Sequence, residues 1–124
     1  MASNLDGAGQ SKMATLDEAL ATIQRLHATV ERFAVAVRTG HNTGGFRLPL
    51  QRMATPLVGL LKPQFGAIAD QVSALILVTT RAGTDQAKLR ALREAVAQLR
   101  AQLDIAAAKV KERHTVPSTD SRAE

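Results

Sequence analysis

Two stretches of this chain space their apolar residues alternately three and four apart, and no other feature constrains the fold as tightly. In the first, Leu16, Leu20, Ile23, His27, Val30, Ala34 and Val37 follow separations of 4, 3, 4, 3, 4 and 3. In the second, Leu89, Leu92, Val96, Leu99, Leu103, Ala106 and Val110 follow 3, 4, 3, 4, 3 and 4. A strand alternates every two residues, so this spacing falls on one face only in an α-helix. A Thr-x-x-Glu capping box at Thr15 and Glu18 predicts that the first helix covers 16–38. Leu26 and Phe33 widen its apolar face beyond a two-stranded coiled-coil seam, so it should touch at least two neighbours. Gly83 as a stop and Thr84 as an N-cap predict the other helix over 85–113, about 44 Å long at the standard rise.

Between them, residues 46–80 carry only Arg47, Arg52, Lys62 and Asp70 as charges. So uncharged a segment does not suit an ordinary surface element. Pro49 fits the first turn of a helix, whereas Pro56 and Pro63 each break or kink one. Two helical pieces are therefore expected, over 49–61 and 63–81, either as one kinked helix or as two antiparallel ones. The pair is apolar on more than one side: it is the central layer of the molecule, or a second subunit covers part of it. The second case predicts a homo-oligomer whose interface includes some of Leu57, Leu61, Ile76 and Val78. With three Phe and no Trp or Tyr, the core must be built from Ala, Leu, Val and Ile, which suits close helix packing. The expected fold is thus all-α, an antiparallel bundle of three to four helices whose middle helix is broken by prolines. It forms one domain over 15–113, with disordered tails at 1–14 and 114–124.

The stretch TGHNTGGFRLPLQRMATP, residues 39–56, joins the first helix to the middle pieces. Its Gly-Gly has no Gly-Lys-Ser/Thr after it and no strand before it, so it is not a phosphate loop. A helix ending at Thr39 or Gly40 needs positions tolerant of positive φ, and Gly40, Asn42, Gly44 and Gly45 supply them. Phe46 and Leu48 would then clamp the corner onto the core.

Chemistry is sparse. There is no Cys, which removes disulfides, thiolate nucleophiles and thiolate metal sites. His27 falls on the first seam as a hydrogen-bonded core imidazole, while His41 and His114 fall in loop and tail. No two metal ligands share a helical face, and no Ser stands beside a His able to activate it. Neither enzymatic activity nor a cofactor is expected. The first fifteen residues lack the charged and apolar regions of a secretory signal, and the most apolar stretch, Gln71–Thr80, is too short to span a bilayer. A soluble, cytoplasmic protein is expected.

The formal net charge is +5, and it is uneven: residues 15–39 sum to zero, 40–62 to +3 and 81–113 to +4. In the last helix Arg90, Arg93, Arg100 and Lys111 recur in helical phase beside the seam, a ridge able to track phosphates. The competing view is an ordinary solvated face, partly neutralised by Arg90 with Glu94 and Arg100 with Asp104. Arg47 and Arg52, just after the corner, are a second basic candidate. Lack of Tyr and Trp argues against base stacking, so any nucleic acid would be read through backbone and shape.

The run RMATPLVGLL resembles the stretch after the phosphoacceptor in histidine-kinase dimerisation helices, but Gln51 stands where the histidine would be, which excludes phosphotransfer there. Phe46, Leu48, Gln51 and Arg52 in FRLPLQR, with the size, helix order and high pI, resemble the small basic four-helix bundles that serve as accessory proteins of diversity-generating retroelements or are encoded in 23S rRNA intervening sequences. That resemblance implies a homo-oligomer binding a reverse transcriptase and structured RNA. The expected function is a non-catalytic oligomeric adaptor that binds a protein partner and structured RNA or DNA through the Arg ridge. The alternative is a signalling or phosphotransfer-like bundle that docks a protein without nucleic acid.

Overall fold

The computed structural model describes residues 5–114, which form four α-helices: α1 (Gly7–Thr39), α2 (Arg47–Leu61), α3 (Gly66–Thr80) and α4 (Asp85–His114). A short 3-10 turn, Thr43–Phe46, runs directly into α2. Each helix packs on its neighbours in chain order, and α4 returns to pack along α1, closing an antiparallel bundle around one core. The prolines separate α2 and α3 into two antiparallel helices rather than one kinked helix. Pro63 lies in their connection, and Pro49 sits in the first turn of α2, where its missing N–H is one the helix leaves unpaired anyway. Pro56 stays inside α2 on its exposed side, so the Arg52 carbonyl it cannot bond faces water.

The start of α4 follows the expectation closely. Gly83 takes φ 142° and Thr84 caps the helix, its Oγ1 accepting from Ala87 N at 3.1 Å. The start of α1 does not. The helix begins at Gly7, nine residues before position 16, because the Asp6 carboxylate accepts from Gly9 N at 2.7 Å. The Thr15–Glu18 box is inside the helix, where the Thr15 hydroxyl donates instead to Ser11 O. Gly9 is buried and Met13 half-buried, so the apolar stripe extends upstream of Leu16 and holds residues assigned to a disordered tail. His114, likewise placed in a tail, is the last described residue of α4. Residues 1–4 and 115–124, the rest of the expected tails, lie outside the described residues.

This far end is clasped: Asp6 N donates to His114 O at 2.9 Å, His114 Nδ1 faces the Asp6 carboxylate, and Lys12 Nζ meets His114 Nε2 at 3.2 Å. One tautomer satisfies both side-chain contacts, with the proton on Nδ1 and Nε2 accepting from lysine. The clasp is tight enough that a Cβ on Gly9 would lie 2.5 Å from His114 Cβ.

α1 packs on both α2 and α4, as its wide face implies. Its buried stripe is rotated from the expected seam toward Ala19, Leu26 and Phe33, which leaves His27 exposed; the imidazole is not a core group. Three threonines are buried with their hydroxyls satisfied: Thr22 and Thr29 donate to carbonyls one turn back, and Thr79 donates to Ile76 O at 2.6 Å. The expected interface residues are corrected too. Leu57 and Leu61, each 1 % exposed, and Val78 are consumed by the chain's own core, so they offer nothing to a second subunit. Ile76 is half-buried. The large apolar side chains that α2 and α3 do present to solvent are Leu48 and Leu77, 58 % and 60 % exposed.

Candidate functional site

The α1–α2 corner and the α3–α4 turn lie at the same end of the bundle, because two antiparallel hairpins place both connections there. α1 ends at Gly40 with φ 76°, and the Gly40 and His41 amides both bond Ala36 O. Asn42 is left-handed at φ 50°, a conformation Asn tolerates. Gly44 and Gly45 are not left-handed, so half of the expected positive-φ positions are realised. Phe46 then folds back on Phe33, ring centroids 5.6 Å apart and tilted by 57°, which clamps the corner onto the core as anticipated. Leu48, expected to share that role, points to solvent.

Between corner and turn is a cleft of about 310 Å³. Arg47 from α2, Arg81 from the turn and Lys88 from the first turns of α4 converge on it, with Asp85 as the one carboxylate. Its floor is core: Phe33, Leu50 and Leu92 are nearly inaccessible, and Phe46 beside them is half-buried. Thr43, Thr79 and Thr80 add hydroxyls. Thr79 is already used, accepting from Gln51 Nε2 at 3.0 Å and donating to its own helix. That bond gives Gln51, which occupies the phosphoacceptor position of the histidine-kinase resemblance, a purely structural role tying α2 to α3.

Among the described residues the ion pairs are Arg93–Glu31 and His114–Asp6, so none of the three cleft cations is held in a salt bridge. For Arg47 the composition explains why: from residue 32 to residue 69 the chain has no Asp or Glu at all. This leaves Arg47 without a local counter-charge. Arg81 also stands at the C-terminal end of α3, where a cation complements the helix dipole.

The expected ridge fares differently. Arg90, Arg93, Arg100 and Lys111 are all exposed on α4, but Arg93 is already engaged across the helix pair. Its Nε and Nη2 donate to both Glu31 oxygens at 2.9 and 2.8 Å. That fork holds the Glu31 carboxyl below its ordinary range and raises the guanidinium. Arg93 therefore bridges α4 to α1 and leaves a gap in the proposed track. The local pairs Arg90–Glu94 and Arg100–Asp104 do not close to ion-pair distance. Arg52 is exposed on α2 but does not line the cleft.

Arg81, Lys88 and Asp85 were not singled out by sequence reasoning, since each belongs to a local signal: a helix end for Arg81 and the first turn of α4 for Asp85 and Lys88. Among the described residues no three His, Asp or Glu side chains are grouped to hold a metal ion, and no helix is long and apolar enough to cross a membrane. No family model matches the chain, and neither the curated proteins nor the solved structures hold a significant match to it.

Proposed function

We propose that the protein is a cytoplasmic, non-catalytic helical-bundle adaptor whose basic corner end engages a phosphate-rich partner, structured RNA or DNA. One observation carries this reading: Arg47, Arg81 and Lys88 converge from three elements without a salt bridge among them, against the single carboxylate of Asp85. Such clustering costs self-repulsion that an anionic partner relieves. The contact would be to phosphates, consistent with the absence of Tyr and Trp for stacking. The reading moves the main contact from the α4 ridge to the corner, with Arg52, Arg90 and Arg100 as outlying cations.

The test is affinity for duplex and hairpin RNA as a function of salt. Replacing Arg47, Arg81 or Lys88 by Gln should lower affinity at low salt and flatten the log–log salt slope by roughly 0.7–0.9 per contact. Arg93→Gln should change the slope little, because its charge is already matched by Glu31. A slope altered by Arg93→Gln but not by the cleft variants would return the site to the ridge.

Absence of salt-dependent binding to any nucleic acid would favour a second reading, an adaptor that docks a protein, itself included. The observation behind it is the exposure of Leu48 and Leu77 on the charge-poor α2–α3 hairpin. Light scattering separates a monomer from a homo-oligomer built on that face.

A further inference from the structure

We propose that the corner-end cleft binds a small amphipathic anion, a carboxylate or phosphate head joined to an apolar body. The proposal goes beyond the nucleic-acid reading and does not depend on it. Contact with backbone phosphates does not require a concavity, and this site is concave. Its volume, about 310 Å³, lies at the lower end of the range typical of small-ligand sites. Its walls come from four elements, and its floor is fixed by the Phe33–Phe46 ring contact rather than by a mobile loop. An apolar body can therefore displace water from the Phe46 ring while its head remains at the rim.

The head is identified by the rim. Two guanidinium groups, Arg47 and Arg81, present planar forks that match a carboxylate, and Lys88 adds a point charge. Neither Arg is committed to an acidic partner among the described residues. Three cations against the one carboxylate of Asp85 leave the rim net positive, so it attracts an anionic head, carboxylate or phosphate ester, and the Asp85 charge weakens that attraction. The Thr43 hydroxyl, not engaged elsewhere, can donate to the head.

The test is an NMR titration of the full chain with sodium hexanoate, sodium acetate, 1-hexanol and hexyl phosphate. Hexanoate should shift the amides of Thr43, Gly44, Thr80 and Asp85 saturably. Each buried CH₂ strengthens binding roughly fourfold, so hexanoate should exceed acetate by about tenfold or more even with partial burial. Hexanol should bind more weakly than hexanoate. Arg81→Gln and Lys88→Gln should each weaken hexanoate by roughly two- to fivefold, and Asp85→Asn should strengthen it by a similar factor. The opposite signs exclude a general loss of folding as the cause. Acetate equal to hexanoate, shifts scattered over the surface, or no gain from Asp85→Asn would overturn the proposal. Hexyl phosphate should bind at least as tightly as hexanoate, because the rim is net positive, and hexyl phosphate binding no better than hexanol would overturn the anionic head. Failure of RNA binding leaves all of these readouts intact.

Discussion

Leu57→Ala tests most directly how the molecule divides core from surface. Leu57 is 1 % exposed on α2, within the core that α2 shares with its neighbours. Truncation removes the apolar transfer of three carbons, about 2–2.5 kcal/mol at roughly 0.8 kcal/mol per CH₂. The vacated space adds about 1 kcal/mol, since a close-packed bundle relaxes only in part. A loss of about 3–3.5 kcal/mol should lower the melting temperature by roughly 15–20 °C for a domain of this size. The assay is helical circular dichroism followed on heating, at protein concentrations spanning about two orders of magnitude. A core residue gives the same shift at every concentration, whereas an interface residue gives one that grows on dilution. Leu77→Ser, at a site 60 % exposed, should stay within about 0.5 kcal/mol of wild type. A concentration-dependent shift for Leu57→Ala, or a loss below about 1 kcal/mol, would refute the assignment of this side chain to the monomer core.

Pro56→Ala should stabilise the protein by about 1–2 kcal/mol, by restoring an amide bond to the Arg52 carbonyl and removing the helix-interior penalty, less the unfolded-state entropy that proline had removed; thermal melting checks it. Gly9→Ala should destabilise by about 1 kcal/mol, because the new methyl collides with His114 Cβ and forces the far-end clasp open, while Gly7→Ala, which meets nothing within 4 Å, should be neutral or slightly stabilising. Acid should weaken the same end. The Gly9 amide, and then His114, hold the Asp6 carboxyl below its usual range, so its contribution is present above the unfolded value and is lost as pH falls through the folded one. Glu31 behaves alike through Arg93, so melting temperatures measured down the acid range should fall less steeply in Asp6→Asn and Glu31→Gln than in wild type.

Legibility varied with how local the deciding physics was. The start of α4 was readable to the residue because Gly83 and Thr84 carry the stop and the cap in their own backbone preferences. The start of α1 was not, since two caps competed. Asp6 won over Thr15 because starting there also buries Gly9 against the end of α4, a contact spanning the whole chain. The uncharged middle is interior on one face only: Leu57, Leu61 and Val78 are shielded by the chain's own helices, while Leu48 and Leu77 face solvent, a division that lack of charge does not show. For the cleft, the available signal was negative: the run from 32 to 69 without a carboxylate, which leaves Arg47 unmatched wherever it lands. Arg81 and Lys88 meet it only because the bundle's up-and-down order brings the α3–α4 turn to the corner. Arg93 of the ridge shows the converse limit. Helical phase establishes that side chains share a face of one helix, but whether a charge on that face is free is decided by the neighbouring helix. For Arg93 the decision lies 62 residues earlier, at Glu31.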